Sequence, residues 1–139
     1  MPLMPMDVPL PLVRLGVRAM MRALYRIRVI GQENVPKTGP ALIISNHLSL
    51  MDGFLVGWGA RHRKVRFMIY RPYYEDPLWG RFLRPLGAIP IGTSGPRDLV
   101  GALKAARKDL EDGHVVCIFA EGSVSRTGHM LPFKRGMEK

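Results

Sequence analysis

Four short stretches, apolar but for Arg66 in the second, recur along the chain, each closed by polar residues, proline or glycine: Ala41–Ser45, Val65–Ile69, Gly87–Ile91 and Val115–Phe119. Each is short for a buried helix and has the length of a strand covered on both faces. Stretches of helical length separate them. Asp52–Gly59 reads as a helix with Asp52 near its positive end. Pro77–Leu86 carries a proline suited to a first turn. Asp98–Glu111 sets Leu99, Leu103, Ala106 and Leu110 on one face, and Gly113 stops it. This alternation predicts an α/β fold with a mixed, mainly parallel sheet flanked by helices. A further short strand is expected at Arg28–Ile30, before a polar loop from Gly31 to Pro40.

Residues 1–11 are proline-rich and read as extended or disordered. A helix is expected from Leu12 to Tyr25, with Arg14, Arg18, Arg22 and Arg26 stacked along one side by their four-residue spacing. Such a basic amphipathic helix suits a bilayer interface, its guanidinium groups at anionic headgroups. A helix packed on the domain with its arginines in water fits the same pattern. The chain therefore divides into residues 1–27, the proline-rich start and basic helix, and residues 28–139, the folded domain.

The net charge of +10 implies attraction to something anionic, whether nucleic acid, lipid headgroups or a phosphorylated or carrier-bound substrate, although a basic but ordinary surface carries the same charge. A hydrophobic fraction of 47% argues against disorder. No run reaches the roughly 18–20 apolar residues of a membrane span. A signal peptide is not expected, because the basic residues follow the apolar start and prolines interrupt it. The single cysteine, Cys117, lies inside an apolar run and reads as an inert strand residue.

Two segments carry chemistry, and each follows an expected strand, where ligands gather in α/β sheets. In the first, Asn46-His47-Leu48-Ser49-Leu50-Met51-Asp52-Gly53, the aspartate follows the histidine by five residues. That spacing lets the carboxylate fold back onto one imidazole nitrogen, leaving the other to take a proton from an alcohol. A loop histidine beside a helix-capping aspartate fits the same letters. The second, Phe119-Ala120-Glu121-Gly122-Ser123-Val124-Ser125-Arg126-Thr127-Gly128, has glycines that admit an anion and an arginine that can fork onto phosphate. A polar hairpin loop fits it equally.

Together and in this order, the two segments resemble the 1-acylglycerol-3-phosphate acyltransferase family and its lysophospholipid acyltransferase relatives. The first block, NHxSxxD, is met by Asn46, His47, Ser49 and Asp52. The third, FPEGTRSRTG, is met at Phe119, Glu121, Gly122, Ser125, Arg126, Thr127 and Gly128, and Pro132-Phe133-Lys134-Arg135-Gly136 matches the string that follows it. The resemblance implies a glycerolipid-acyltransferase-like fold. It implies His47 as general base and Asp52 as its orienting partner. Asn46, Ser49, Glu121, Gly122, Ser123, Arg126, Thr127, Gly128 and Lys134 would line the substrate, with Arg126 or Lys134 facing phosphate. The implied donor is acyl-CoA or acyl carrier protein, and the implied acceptor a lysophospholipid. No metal or bound cofactor is implied, and no nucleic acid is expected. Peripheral association with the cytoplasmic face of an anionic membrane follows from the arginine helix and the lipid acceptor.

Three departures qualify the match. Thr93 stands where the second block has an arginine, and Val124 replaces another in the third. With less phosphate-binding charge, the chain looks closer to the acyltransferase region of 2-acylglycerophosphoethanolamine acyltransferases fused to acyl-carrier-protein synthetases. A fourth block, apolar around a proline, belongs beyond Lys139, so the domain reads as truncated and incomplete at its C-terminus. The competing readings are a basic peripheral membrane or nucleic-acid-binding module without catalysis, the latter lacking the interleaved aromatics and basic clusters of RNA platforms, and a condensation-type acyltransferase, which carries paired histidines where Asn46 precedes His47.

Overall fold

The structure, a computed structural model, describes residues 10–133. Helix α1 (Leu10–Leu24) leads through an irregular segment to β1 (Ala41–Ser45), α2 (Asp52–Gly59), β2 (Val65–Tyr70), α3 (Arg71–Glu75), α4 (Trp79–Leu83), β3 (Ile89–Ile91), α5 (Pro96–Glu111) and β4 (Val115–Phe119). The strands form one sheet in the order β1-β4-β2-β3, and all three pairings are parallel. The α/β architecture expected from the sequence is the one observed.

β4 is central, and Val115, Val116 and Cys117 are sealed from solvent. A strand covered on both faces needs such an unbroken apolar run. Its side chains alternate between two cores. Val116 joins Met68, Ile89, Ala102 and Ala106 beneath α5. Val115 and Cys117 join Val65 and Ala60, with Ile43, Val56 and Phe67 packed alongside. Ala102 and Ala106, one helical turn apart, let α5 approach the sheet closely. Burial pushes the Cys117 thiol up to about 12, in keeping with an inert strand residue.

The helix boundaries follow backbone chemistry. Pro96 takes the first turn of α5, two residues ahead of the expected start, because its missing N–H is no loss there. Gly113 follows the helix with φ +83, a conformation that glycine adopts without strain. On the first helix, Val13 and Met21 are buried, whereas Leu12, Leu15 and Leu24 are more than half exposed. One apolar strip of α1 therefore packs on the domain while another faces solvent.

Two expectations are corrected. Arg28–Ile30 forms no strand. Ile30 is 82% exposed, with no neighbouring strand to receive it, and Gly31 then turns the chain at φ +77. The helix expected over Pro77–Leu86 is present in shortened form as α4, and α3, directly after β2, was not expected. Between them the Asp76 carboxylate accepts from the N–H groups of Leu78 and Trp79, which starts a new helical segment there. The loop before β1 is pinned by Arg63, whose guanidinium donates to the carbonyls of Pro36, Gly39 and Gly113.

Candidate active site

β1 and β4 are adjacent and parallel, and their last residues, Ser45 and Phe119, are register partners. The two motif segments therefore leave the sheet side by side at its carboxyl edge. The Ala120 N–H donates to the Ser45 carbonyl at 3.2 Å and continues the contact past the strands.

His47 is held through its ring and its backbone. Nδ1 lies 3.0 Å from Asp52 Oδ2. An ionised carboxylate only accepts, so Nδ1 carries the hydrogen and the neutral ring keeps its lone pair on Nε2. No hydrogen-bond partner for Nε2 exists among the described residues. The ring stacks on Phe119, centroids 4.0 Å apart and planes 15° off parallel. Its side chain retains 18% exposure, enough to meet a substrate from the open side.

Asp52 is the hub of the first segment. Oδ2 also accepts from the N–H groups of Leu48 at 2.6 Å and Ser49 at 2.8 Å, while Oδ1 accepts from the Ser49 hydroxyl at 3.0 Å. Burial pulls this carboxyl upward. The bonds from the Ser49 N–H, His47, the Leu48 N–H and the Ser49 hydroxyl together outweigh it and hold the group below its ordinary value of 3.8. Asp52 is thus ionised at neutral pH and fixes the imidazole tautomer.

Glu121, expected against the substrate, lies beneath the site instead. It is 1% exposed. Oε1 accepts from the His47 N–H at 3.0 Å and Oε2 from the Leu131 N–H at 2.9 Å. On the other side of the same residue, the His47 carbonyl accepts from the Ser125 N–H at 2.9 Å. The second segment therefore clamps the loop that carries His47 and Asp52. Ser49 is likewise engaged internally, since its hydroxyl also accepts from the Met51 N–H.

The remaining candidates sort by accessibility. Asn46, Gly122, Ser123, Arg126, Thr127 and Gly128 are exposed around the two loops. Gly122 and Gly128 take φ +68 and +74, which lets these loops turn tightly. Lys134 lies outside the described residues. Sequence reasoning missed Phe119 as a support for the imidazole and Ser125 as a backbone clamp. Their places in the third block, next to Glu121, were the available signal. Arg14, Arg18, Arg22 and Arg26 are exposed, the first three on α1 and the fourth just past its end. Among the described residues no helix is long and apolar enough to cross a membrane, and no group of three or more His, Cys, Asp or Glu could hold a metal.

Comparison with known proteins adds an independent finding. A family model described as Acyltransferase matches residues 26–139. The chain is 32% identical over 114 residues to a chloroplastic 1-acyl-sn-glycerol-3-phosphate acyltransferase of Arabidopsis thaliana, covering 81% of this chain and 31% of that one. It is 33% identical over 101 residues to the 1-acyl-sn-glycerol-3-phosphate acyltransferase of Helicobacter pylori, covering 71% of this chain and 42% of that one. The crystal structure of the 1-acyl-sn-glycerophosphate acyltransferase PlsC of Thermotoga maritima superposes with a TM-score of 0.71 at 28% identity, over 91% of this chain and 49% of that one. The chain thus spans less than half the length of each of these relatives.

Proposed function

This chain belongs to the acyltransferase family, and we propose that it transfers a fatty acyl group from a thioester donor to the free hydroxyl of a lysophospholipid. The observation that carries the reading is the His47–Asp52 pair, joined at 3.0 Å with Nε2 left open. In the proposed reaction Nε2 takes the proton of the acceptor hydroxyl. The oxygen attacks the thioester carbonyl carbon, the carbon–sulfur bond breaks, and the departing thiolate takes the proton back from the imidazolium. No enzyme serine or cysteine is acylated. Asp52 keeps the ring in the reactive tautomer and stabilises its cationic form.

The exposed side chains of Ser123, Arg126 and Thr127 supply donors beside His47 for the acceptor phosphate, with Lys134 assigned to the same task. The donor is acyl-CoA or acyl carrier protein. A 1-acylglycerol-3-phosphate is the favoured acceptor, because the relatives described above act on that class by name. Thr93 and Val124, standing where the resemblance leads one to expect arginines, favour a second reading in which the acceptor is a phosphodiester such as 2-acylglycerophosphoethanolamine. α1 would lie at an anionic membrane surface on its cytoplasmic side, its exposed Leu12 and Leu15 in the lipid and its arginines at the headgroups. Residues 1–27 would form this anchor and residues 28–139 the catalytic domain.

A thioester-release assay over a panel of lysophospholipids tests the proposal. Thiol release that depends on an acceptor, with product ester in equal amount, supports it. Release unaffected by every acceptor would reject the transferase reading.

A further inference from the structure

The geometry points to a phosphate-ester site remote from the reaction centre, in the cleft where the end of α1 and the segment after it meet the end of α2. This cavity of about 500 Å³ is lined by Arg22, Tyr25, Arg26, Gln32, Trp58 and Arg61, with Ile27 and Val29 beside them. The inference rests on the reading of α1 as an interfacial helix and goes beyond it, since diffuse attraction to a charged surface needs no cavity.

Three observations lead to the ligand class. First, the lining polar side chains are donors or can donate: three guanidinium groups, a phenol, an indole N–H and a carboxamide. Such a set is complementary to a ligand rich in acceptors, and planar guanidinium forks match phosphate oxygens two at a time. Second, the cations lack internal counterions. Residues 8–32 and 53–74, which supply every wall, contain no Asp or Glu. Among the described residues, none of Arg22, Arg26 and Arg61 forms a salt bridge. Third, the fold assembles the cluster from distant sequence. Arg61 is brought to the arginine row of α1, where the Arg18 guanidinium donates to its carbonyl at 3.4 Å. Like charges are held together without an acid to neutralise them, which favours an external anion.

The site is not the acceptor pocket. Asp52 opens α2 and Trp58 lies six residues further on, about 9 Å along the helix axis at 1.5 Å per residue. Amphipathic Tyr25 and Trp58 with the aliphatic Ile27 and Val29 suit the carbon side of an ester and the water–lipid boundary. The ligand is the headgroup phosphate of an anionic lipid, held as a specific anchor.

Trp58 reports on its own cavity once Trp79, the other tryptophan, is replaced by phenylalanine. The full chain carrying Trp79→Phe is titrated with vesicles of phosphatidylcholine containing phosphatidylglycerol, with pure phosphatidylcholine vesicles, and with inorganic phosphate. The expected result is a saturable change in Trp58 emission with the anionic vesicles alone. Arg61→Gln should raise the midpoint tenfold or more. Arg14→Gln removes the same charge outside the cavity and should raise it by about fivefold or less, the worth of one cation near an anionic surface. Unfolding midpoints confirm that each variant is folded, and Arg22→Gln replaces Arg61→Gln if the latter is not. A saturable response to inorganic phosphate that Arg61→Gln abolishes would support the site and assign it to soluble phosphate esters. Equal shifts for the two variants would overturn the site while leaving α1 at the interface. Equal binding to both vesicle types, unchanged by either variant, would likewise overturn the site, and binding to neither would overturn the interfacial reading as well.

Discussion

The imidazole of His47 lies flat against the ring of Phe119, the two centroids 4.0 Å apart. Phe67 stacks in turn beside Phe119 at 6.2 Å. The His47 ring is therefore the last member of an aromatic pile rising from the sheet. Asp52 fixes its rotation from the side, and Glu121 and Ser125 fix the backbone that carries it. Preorganisation of this kind would let the proposed base act without reorganisation at the moment of reaction.

Replacing His47 by alanine removes the proposed base. Acyl transfer should fall by about a hundred- to ten-thousand-fold, with the unfolding midpoint close to the parent's. Asp52→Asn should lower kcat more than it raises KM, because the amide no longer enforces the tautomer with Nε2 free. Steady-state thiol release against acceptor concentration separates the two parameters.

Acid should erase part of the contribution of Asp52 to stability. Its pKa in the fold is depressed, so that contribution is full above the unfolded value near 3.8 and disappears as pH falls through the lower folded value. Urea unfolding of the parent and of Asp52→Asn should show a gap at pH 7 that narrows below pH 3.8. A gap that widens with acid would contradict the hydrogen-bonded carboxylate.

Glu121→Ala should destabilise the chain by about 2–4 kcal/mol, because two partly buried N–H groups lose their acceptor. Glu121→Gln keeps the volume and one carbonyl oxygen, so a loss about half as large is expected. If Glu121 instead contacted substrate directly, both variants would raise KM and leave the unfolding midpoint unmoved.

Ala106→Leu tests the close approach of α5. The added carbons have no space beneath the helix, and a loss of about 1–3 kcal/mol is expected by thermal unfolding. By contrast, Leu12→Gln with Leu15→Gln alters exposed positions. It should move stability by less than about 0.5 kcal/mol. Vesicle sedimentation should nevertheless weaken about tenfold or more, as two apolar side chains no longer enter lipid.

Legibility in the sequence follows the range of the interactions. β4 and α5 announce themselves because a continuous apolar run and a three-to-four spacing are local signals. His47 and Asp52 were readable for the same reason, lying within one loop. Arg28–Ile30 carries strand-forming residues, yet strand formation needs a neighbour that the sequence does not name. The late start of α4 at Trp79 goes with the Asp76 side chain taking the Leu78 and Trp79 backbone donors, which helical periodicity does not register. The role of Glu121 was hidden for a third reason. A glutamate in a polar loop reads as solvent-facing, and only the adjacency of β1 and β4 turns it inward across 74 residues.

The burial of Cys117 has a practical consequence at the bench. The chain has one thiol, wholly covered and almost fully protonated, with its pKa pushed to about 12. A chromogenic disulfide reagent reacts with thiolate and will find none on the folded protein. Colour that develops during turnover counts sulfur liberated from the donor, and colour in a blank without donor counts molecules that have come apart.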